Sequence, residues 1–258
     1  MATVPGGAYG NFFTDTHSSD VIMGNGGNDM IFAFGNNDVI HGAGGSDFIS
    51  TGGSYEQVFG ESSHGHSDVI MMSGNHDLAV AGDGNDIITA SGTGDDSLFG
   101  GNGDDTIMGS GHGNLIVGGS GNDYLQGGAG DDTIHGGLGN DQMIAGSGKE
   151  LLVGGAGNNV MVAGSGDDTM VSGTGHDTFV FNGGKGTDVV MNFHDGDLLQ
   201  IQHGINGLAI AKPQDLLPYI HDDAAGNAVL KLGGETITLV GIKSEDMHNN
   251  PTGYFSVH

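Results

Sequence analysis

An acidic or amide residue recurs every nine residues along this chain, and two places after each one stands an apolar residue. The anchors are Asp20, Asp29, Asp38, Asp47, Glu56, Asp68, Asp77, Asp86, Asp96, Asp105, Asn114, Asp123, Asp132, Asp141, Glu150, Asn159, Asp168, Asp177 and Asp188; of the 18 intervals, 15 are nine residues and the others are 12, 10 and 11. A period of this kind is read before any single motif, because it fixes the architecture. Six residues rich in Gly, Asn and Asp predict a turn, and three residues around the apolar one predict a short strand whose middle side chain points inward. Two units then make one coil of a flattened solenoid. The inward series is Ile22, Ile31, Ile40, Ile49, Val58, Ile70, Ala79, Ile88, Leu98, Ile107, Ile116, Leu125, Ile134, Met143, Leu152, Met161, Met170, Phe179 and Val190, all apolar. It predicts a thin stacked core.

The clearest units are GGNGDDTIM from Gly100, GGSGNDYLQ from Gly118, GGAGDDTIH from Gly127 and GGLGNDQMI from Gly136. Each resembles the nonapeptide GGxGxDxUx, with U a large aliphatic residue, of the RTX (repeats-in-toxin) family. The resemblance implies an all-β fold: a parallel β-roll, that is, a two-sheet β-solenoid of nonapeptide repeats, here with a β-rich C-terminal cap. It also implies Ca2+ held between loops 18 residues apart. One row of loops then carries Asp86, Asp105, Asp123, Asp141, Asn159 and Asp177, and the other Asp96, Asn114, Asp132, Glu150, Asp168 and Asp188. The metal residues carried over are Asp86, Asp96, Asp105, Asp123, Asp132, Asp141, Asp168 and Asp177, with the turn glycines Gly101, Gly103, Gly119, Gly121, Gly128, Gly130, Gly137 and Gly139. Asp105, Asp123 and Asp141 rank highest, as consecutive carboxylates in one row. Asn114 and Glu150 interrupt the other.

Charge points the same way. With 5 basic and 32 acidic residues the formal charge is −27, which argues against nucleic acid and anionic lipid as partners. Stacked turns place carboxylate over carboxylate with few Lys or Arg to offset them. Calcium answers this, because it takes six to eight oxygens from carboxylates and carbonyls, and glycine turns expose carbonyls freely. The chain has 54 Gly and no Cys, so neither disulfides nor thiolate metal sites stabilise it.

Four segments are expected: an N-terminal cap (1–19), degenerate repeats (20–80), calcium-binding repeats (81–190), and a C-terminal cap (191–258) that the resemblance implies carries a type I secretion signal. The loops before residue 81, such as GNGGND from Gly24 and GAGGSD from Gly42, keep the anchor but shift or lose glycines, so they are expected to coil without calcium. Alternating Val229, Leu230 and Leu232, then Ile237, Leu239 and Ile242, about Gly233 and Gly234, predict a β-hairpin. No apolar run reaches the ~20 residues of a membrane-spanning helix, and Met1 to Asn11 carry neither a basic start nor an apolar core, so an N-terminal secretory signal is not expected there.

Catalysis is not expected. No GxSxG or HExxH motif occurs, and the glycine loops carry acid where a phosphate site needs base. His64 and His66 offer an incomplete zinc set. Paired acids such as Asp104 and Asp105 recur with the repeat, so they read as calcium loops rather than as glycosidase carboxylates. Outward positions are often apolar (Val21, Met23, Met30, Phe32, Val39, Phe48, Val69, Met71, Leu78, Val80, Leu115, Val117, Leu151, Val153, Val160, Val162) and suggest self-association. The expected function is a secreted, extracellular or cell-surface structural protein that folds on calcium. The alternative is an accessory module that binds extracellular polysaccharide.

Overall fold

The computed structural model describes residues 3–15, 17–62 and 65–258. The chain forms two compact units, Met1–Ala129 and Gly130–His258. In each, the nine-residue period becomes strand, turn, strand, with successive strands on alternate sheets.

In the first unit the front sheet holds Thr3–Pro5, Val21–Met23, Val39–His41, Gln57–Ser62, Leu78–Asp83, Ser97–Asn102 and Leu115–Ser120. The back sheet holds Phe12–Asp15, Met30–Ala33, Phe48–Thr51, Val69–Met72, Ile87–Ala90, Thr106–Met108 and Tyr124–Ala129. All pairings are parallel, and the register stacks the inward residues: Ile22, Ile40, Val58, Ala79, Leu98 and Ile116 on the front, and Ile31, Ile49, Ile70, Ile88, Ile107 and Leu125 on the back. The longer spacing before Asp68 is absorbed by a register shift between Phe59 and Ser62.

The second unit repeats this plan with Thr133–Leu138, Leu151–Ala156, Thr169–Val171 and Gly186–Met191 on the front, and Gln142–Gly148, Val160–Gly166, Thr178–Phe181 and Leu198–Ile201 on the back. Its closing strands come from the C-terminal segment. Glu235–Leu239 adds in parallel to Gly186–Met191, which puts Leu239 against Val190. Phe255–Val257 adds to Leu198–Ile201, which puts Phe255 against Leu199. The hairpin expected about Gly233 and Gly234 is present: Ala228–Leu232 runs antiparallel to Glu235–Leu239, with Leu232 opposite Glu235. No helix among the described residues is long and apolar enough to cross a membrane.

All 19 residues of the inward series have no solvent exposure. Alternation brings a second position inward four residues after each anchor, and small residues predominate there. Ala33, Ala81, Ala90, Ala145 and Ala163 are buried, glycines such as Gly100 and Gly136 take the place in other repeats, and Met72 and Phe181 are buried there as large exceptions. One large apolar side chain per strand contributes about 1.5–3 kcal/mol when fully buried. Ordering each glycine-rich turn costs backbone entropy of similar size. The roll is therefore a fold whose stability turns on what happens inside its turns.

Candidate metal centre

Every one of the 19 anchors is buried, none more than 4% exposed. The anchors form hydrogen-bonded ladders up each edge of the roll. Along the back-sheet edge of the first unit the backbone amides of Asn11, Asp29, Asp47, Asp68, Asp86 and Asp105 donate to the Oδ1 of Asp29, Asp47, Asp68, Asp86, Asp105 and Asp123, at 2.6–2.8 Å. In the second unit Asp141, Asn159 and Asp177 donate in the same way to Asn159, Asp177 and Asp197. The front-sheet edge carries Asp20 to Asp38, then Glu56 to Asp77 to Asp96 to Asn114, and in the second unit Glu150 to Asp168 to Asp188. One side-chain oxygen of each Asp or Asn acceptor in these ladders thus organises the neighbouring coil.

The other oxygen faces inward. Oδ2 of Asp29, Asp38, Asp47, Asp68, Asp77, Asp86, Asp96, Asp105 and Asp168 is buried and accepts no hydrogen bond. At Glu56 and Glu150 both carboxylate oxygens are in that state.

Opposite these oxygens lie backbone carbonyls. A Cβ built on Gly100 would collide with Asp105 Oδ2 and come within 2.7 Å of the Gly118 carbonyl; at Gly136 it would collide with Asp141 Oδ2 and approach the Gly154 carbonyl to 2.6 Å. The first glycine of the repeat therefore keeps open a small space lined by a carboxylate of its own turn and a carbonyl from the next. At Gly109 and Gly154 the same space meets the amide Nδ2 of Asn114 and Asn159, at 2.8 and 2.9 Å, so those two turns present a donor group instead of an anionic oxygen. Gly101 (φ 126°) and Gly103 (φ 122°) have a separate reason to be glycine, a backbone region closed to other residues.

An outer ladder accompanies the inner one. Asn122 and Asp104 amides donate to Asp104 and Asn85 Oδ1 at 2.7 and 3.0 Å, and the amides of Lys149, His176 and Thr187 donate to Asp131, Asn158 and Asp167. The pair Asp104 and Asp105 is thereby resolved: the first is an exposed rung, the second a buried one.

Electrostatics sharpen the demand for a cation. Burial pushes the carboxyls of Asp68 and Asp105 up to about 7 and Asp77 to about 6, and it also raises Asp38, Asp47, Asp86, Asp96 and Asp168. Glu56, buried and beside the charges of Asp38 and Asp77, rises to about 8. Glu150 rises to about 9 through burial and then Asp168 and Asp132. Residues 1–148 contain no Lys or Arg, and Lys149 pairs at the surface with Asp167 at 3.7 Å. Paired carboxylates and carbonyls in a closed space, without organic cations, are the donor chemistry of calcium.

Comparison with known proteins agrees with this geometry. A family model, the RTX calcium-binding nonapeptide repeat, matches four times, at residues 18–49, 81–111, 108–143 and 144–179, which together span just over half of the chain. The chain belongs to the RTX repeat family. RTX nonapeptide repeats bind Ca2+, and the buried Asp ladder is consistent with that role. The match includes 18–49, within the stretch read from sequence as degenerate, and leaves out 50–80. No curated protein matches the sequence.

All eight aspartates carried over as metal residues are buried; in the first unit Asp86, Asp105 and Asp123 precede back-sheet strands and Asp96 a front-sheet strand, and in the second unit Asp141 and Asp177 precede back-sheet strands and Asp132 and Asp168 front-sheet strands. Sequence reasoning stopped the series at Asp188. Asp197 is also a buried rung, with Leu199 inward, and the signal was present, since Asp197 lies nine residues after Asp188 with an apolar residue two places on. Buried Glu235 had no such signal. Of the histidines, His64 lies outside the described residues and His66 is exposed. Asp15, His17 and Asp20 bring donor atoms within 4.8 Å of one another, with His17 Nδ1 3.1 Å from Asp15 Oδ1.

Proposed function

We propose that this protein is a secreted, extracellular structural protein whose roll folds on calcium and then self-associates. The observation that carries the calcium part is the ladder of buried, unpartnered carboxylate oxygens. In a calcium-poor cell interior these groups oppose folding by desolvation and mutual repulsion. Where calcium is abundant, ions bind only the coiled state and draw folding forward. The ions are held by Asp86, Asp96, Asp105, Asp123, Asp132, Asp141, Asp168 and Asp177 with carbonyls of the glycine turns, and each ion supplies the positive charge that the sequence lacks. Export of an unfolded chain followed by folding outside fits an extracellular protein without cysteines.

The self-association part rests on the outer faces. On the back sheet of the first unit, Phe12, Met30, Phe48, Val69 and Ile87 stand in one register column across five strands, and Phe32 packs against Phe12 and Phe48 at centroid distances of 5.8 and 5.7 Å. Phe12 and Met30 are 66% and 46% exposed. A solvent-facing apolar column of this length is what an assembling layer or fibre presents. The same aromatic cluster is the feature that favours the second reading, a polysaccharide-binding accessory, since rings can stack on sugars.

The test is a calcium titration from chelator upward, followed by circular dichroism and light scattering together. Folding and particle growth both rising with calcium is the expected result. Folding without growth removes self-association, and full folding in chelator removes the calcium mechanism.

A further inference from the structure

In the second unit the back-sheet ladder ends on neutral donors. Ser172 Oγ lies 2.6 Å from Asp177 Oδ2 and 3.0 Å from Asp197 Oδ2, and the His194 amide donates to Asp197 Oδ2 at 3.0 Å. The first turn of the first unit is built differently, from two residues that break the repeat. Asp15 stands four places after Asn11, and the register puts it level with Ala33 and then with Thr51, Met72 and Ala90. A carboxylate thus takes an inward place that the following coils leave uncharged. His17 takes the place of a turn glycine. A Cβ built on Gly35, Gly53, Gly74 or Gly92 would collide with the carbonyl of His17, Gly35, Gly53 or Gly74 respectively, so these residues form one column headed by His17.

Both departures are metal-ligating side chains, and both converge on the anchor Asp20. One ligand atom from each of Asp15, His17 and Asp20 lies within 4.8 Å of the others, with His17 Nδ1 3.1 Å from Asp15 Oδ1. The next coil holds the set in place. The amides of Phe34 and Asn36 donate to the Asp15 carbonyl and to Ser18 Oγ at 2.9 and 3.0 Å, and the amides of Ser19 and Asp20 donate to the Asn36 carbonyl and to Asp38 Oδ1, both at 2.9 Å. A second observation points to a cation here. Asp38 has no solvent exposure, and its Oδ2 accepts no hydrogen bond. The Cβ that would collide with the His17 carbonyl at Gly35 would also lie 2.8 Å from that Oδ2, so the unpartnered oxygen faces the backbone of His17. It also lies in the field of Asp15 and Asp20. The His17 side chain, 85% exposed, leaves the outer side open to water.

We infer that Asp15, His17 and Asp20 form a zinc-class site at the first turn, apart from the calcium rows, with Asp38 supplying further negative charge from the next coil. Calcium takes oxygen ligands, whereas an imidazole nitrogen together with carboxylates suits Zn2+ and the neighbouring transition ions. Three protein ligands and an open position for water make a complete set for Zn2+. The ion joins the end of Phe12–Asp15 on the back sheet to the start of Val21–Met23 on the front sheet, and so closes the first coil. The site stands whether or not the turn rows hold calcium.

The test is a Zn2+ titration of the full chain in saturating Ca2+, with bound ions counted by native mass spectrometry and the histidine ring resonances followed by NMR. In the wild type one Zn2+ is expected that Ca2+ does not displace, and the His17 ring resonances shift as it binds. Asp15→Ala and His17→Gly each install the residue that the next coil carries at the same place, so circular dichroism in calcium is expected to match the wild type. Each variant is expected to bind that Zn2+ about tenfold to a hundredfold more weakly. Zinc binding unchanged in either variant, or His17 resonances that do not move, leaves a surface ion pair only and overturns the site. Displacement of the Zn2+ by Ca2+ at comparable concentration overturns the zinc assignment in the same way. If a variant fails to fold, the wild-type His17 resonances and the Ca2+ competition decide.

Discussion

The repeats before residue 81 and those after it build the same ladder from different turns. In the later repeats the left-handed positions are glycine pairs, such as Gly101 with Gly103, Gly119 with Gly121 and Gly137 with Gly139. In the earlier ones Ser19, Asn25, Asn37, Ala43, Tyr55 and His76 take positive φ. A non-glycine residue there costs roughly 1–2 kcal/mol, least for Asn. Yet Asp29, Asp38, Asp47, Glu56 and Asp77 are as buried as the later anchors, and each leaves at least one oxygen without a partner. The anchor and the inward residue two places on fix the coil. The glycines determine how much strain the turn stores.

The strongest way to break this comparison is to remove calcium. In excess chelator at pH 8 both regions are expected to lose amide protection, because both bury ionised carboxylates; retention of protection in 21–72 with loss in 97–171 would show that the early turns stand without ions. Exchange resolved by segment checks this.

Acid is the next largest lever. In chelator, the buried carboxyls of Glu150, Glu56, Asp188, Asp68 and Asp105 have folded-state values of about 9, 8, 8, 7 and 7, against about 4 in an unfolded chain. The folded form thus holds more protons across that window, so stability of the calcium-free protein rises as pH falls from about 9 toward 4 and is lost as pH rises again. Circular dichroism in chelator at pH 8.5, 7 and 5 should show the folded signal growing as the pH falls. A signal that shrinks as the pH falls contradicts the burial of these groups.

Asp105→Asn keeps the Oδ1 acceptor but places an amide NH2 where the second oxygen was, as Asn114 and Asn159 already do. It is expected to raise the calcium midpoint about tenfold while making the calcium-free roll more stable. Titrations of this variant and of Asp38→Asn, side by side, measure whether early and late turns use calcium equally.

The smallest effects concern the turn backbone. Gly119→Ala forces φ near 120° on a residue with a Cβ that collides with the Gly101 carbonyl, and is expected to destabilise by about 1–3 kcal/mol. Ala43→Gly, at φ 73°, is expected to stabilise by up to about 1 kcal/mol. Denaturant melts at saturating calcium compare the two.

Much of the site was legible because a solenoid converts sequence period directly into spatial repetition: a residue 18 places on is a neighbour in the next coil. The inward series from Ile22 to Val190 and the 19 anchors needed only that rule. The outer ladder through Asn85, Asp104 and Asn122 was not read, since polar turn residues look alike until their hydrogen-bond partners are known. Glu235 lay beyond reach for a different reason. It joins the edge through a hairpin and a long excursion, and no local spacing ties it to Asp188.

The sequence by itself determined the coil, the face of every anchor and the excess of negative charge, because each follows from a period of nine and from composition. The tertiary structure alone decided which carboxylate oxygen is used by the neighbouring amide and which is left over, and that the front-sheet edge ends on Glu235 while the back-sheet edge ends on Ser172 and His194. Those outcomes depend on ångström-scale packing between coils and on contacts made far along the chain, which a nine-residue pattern does not encode.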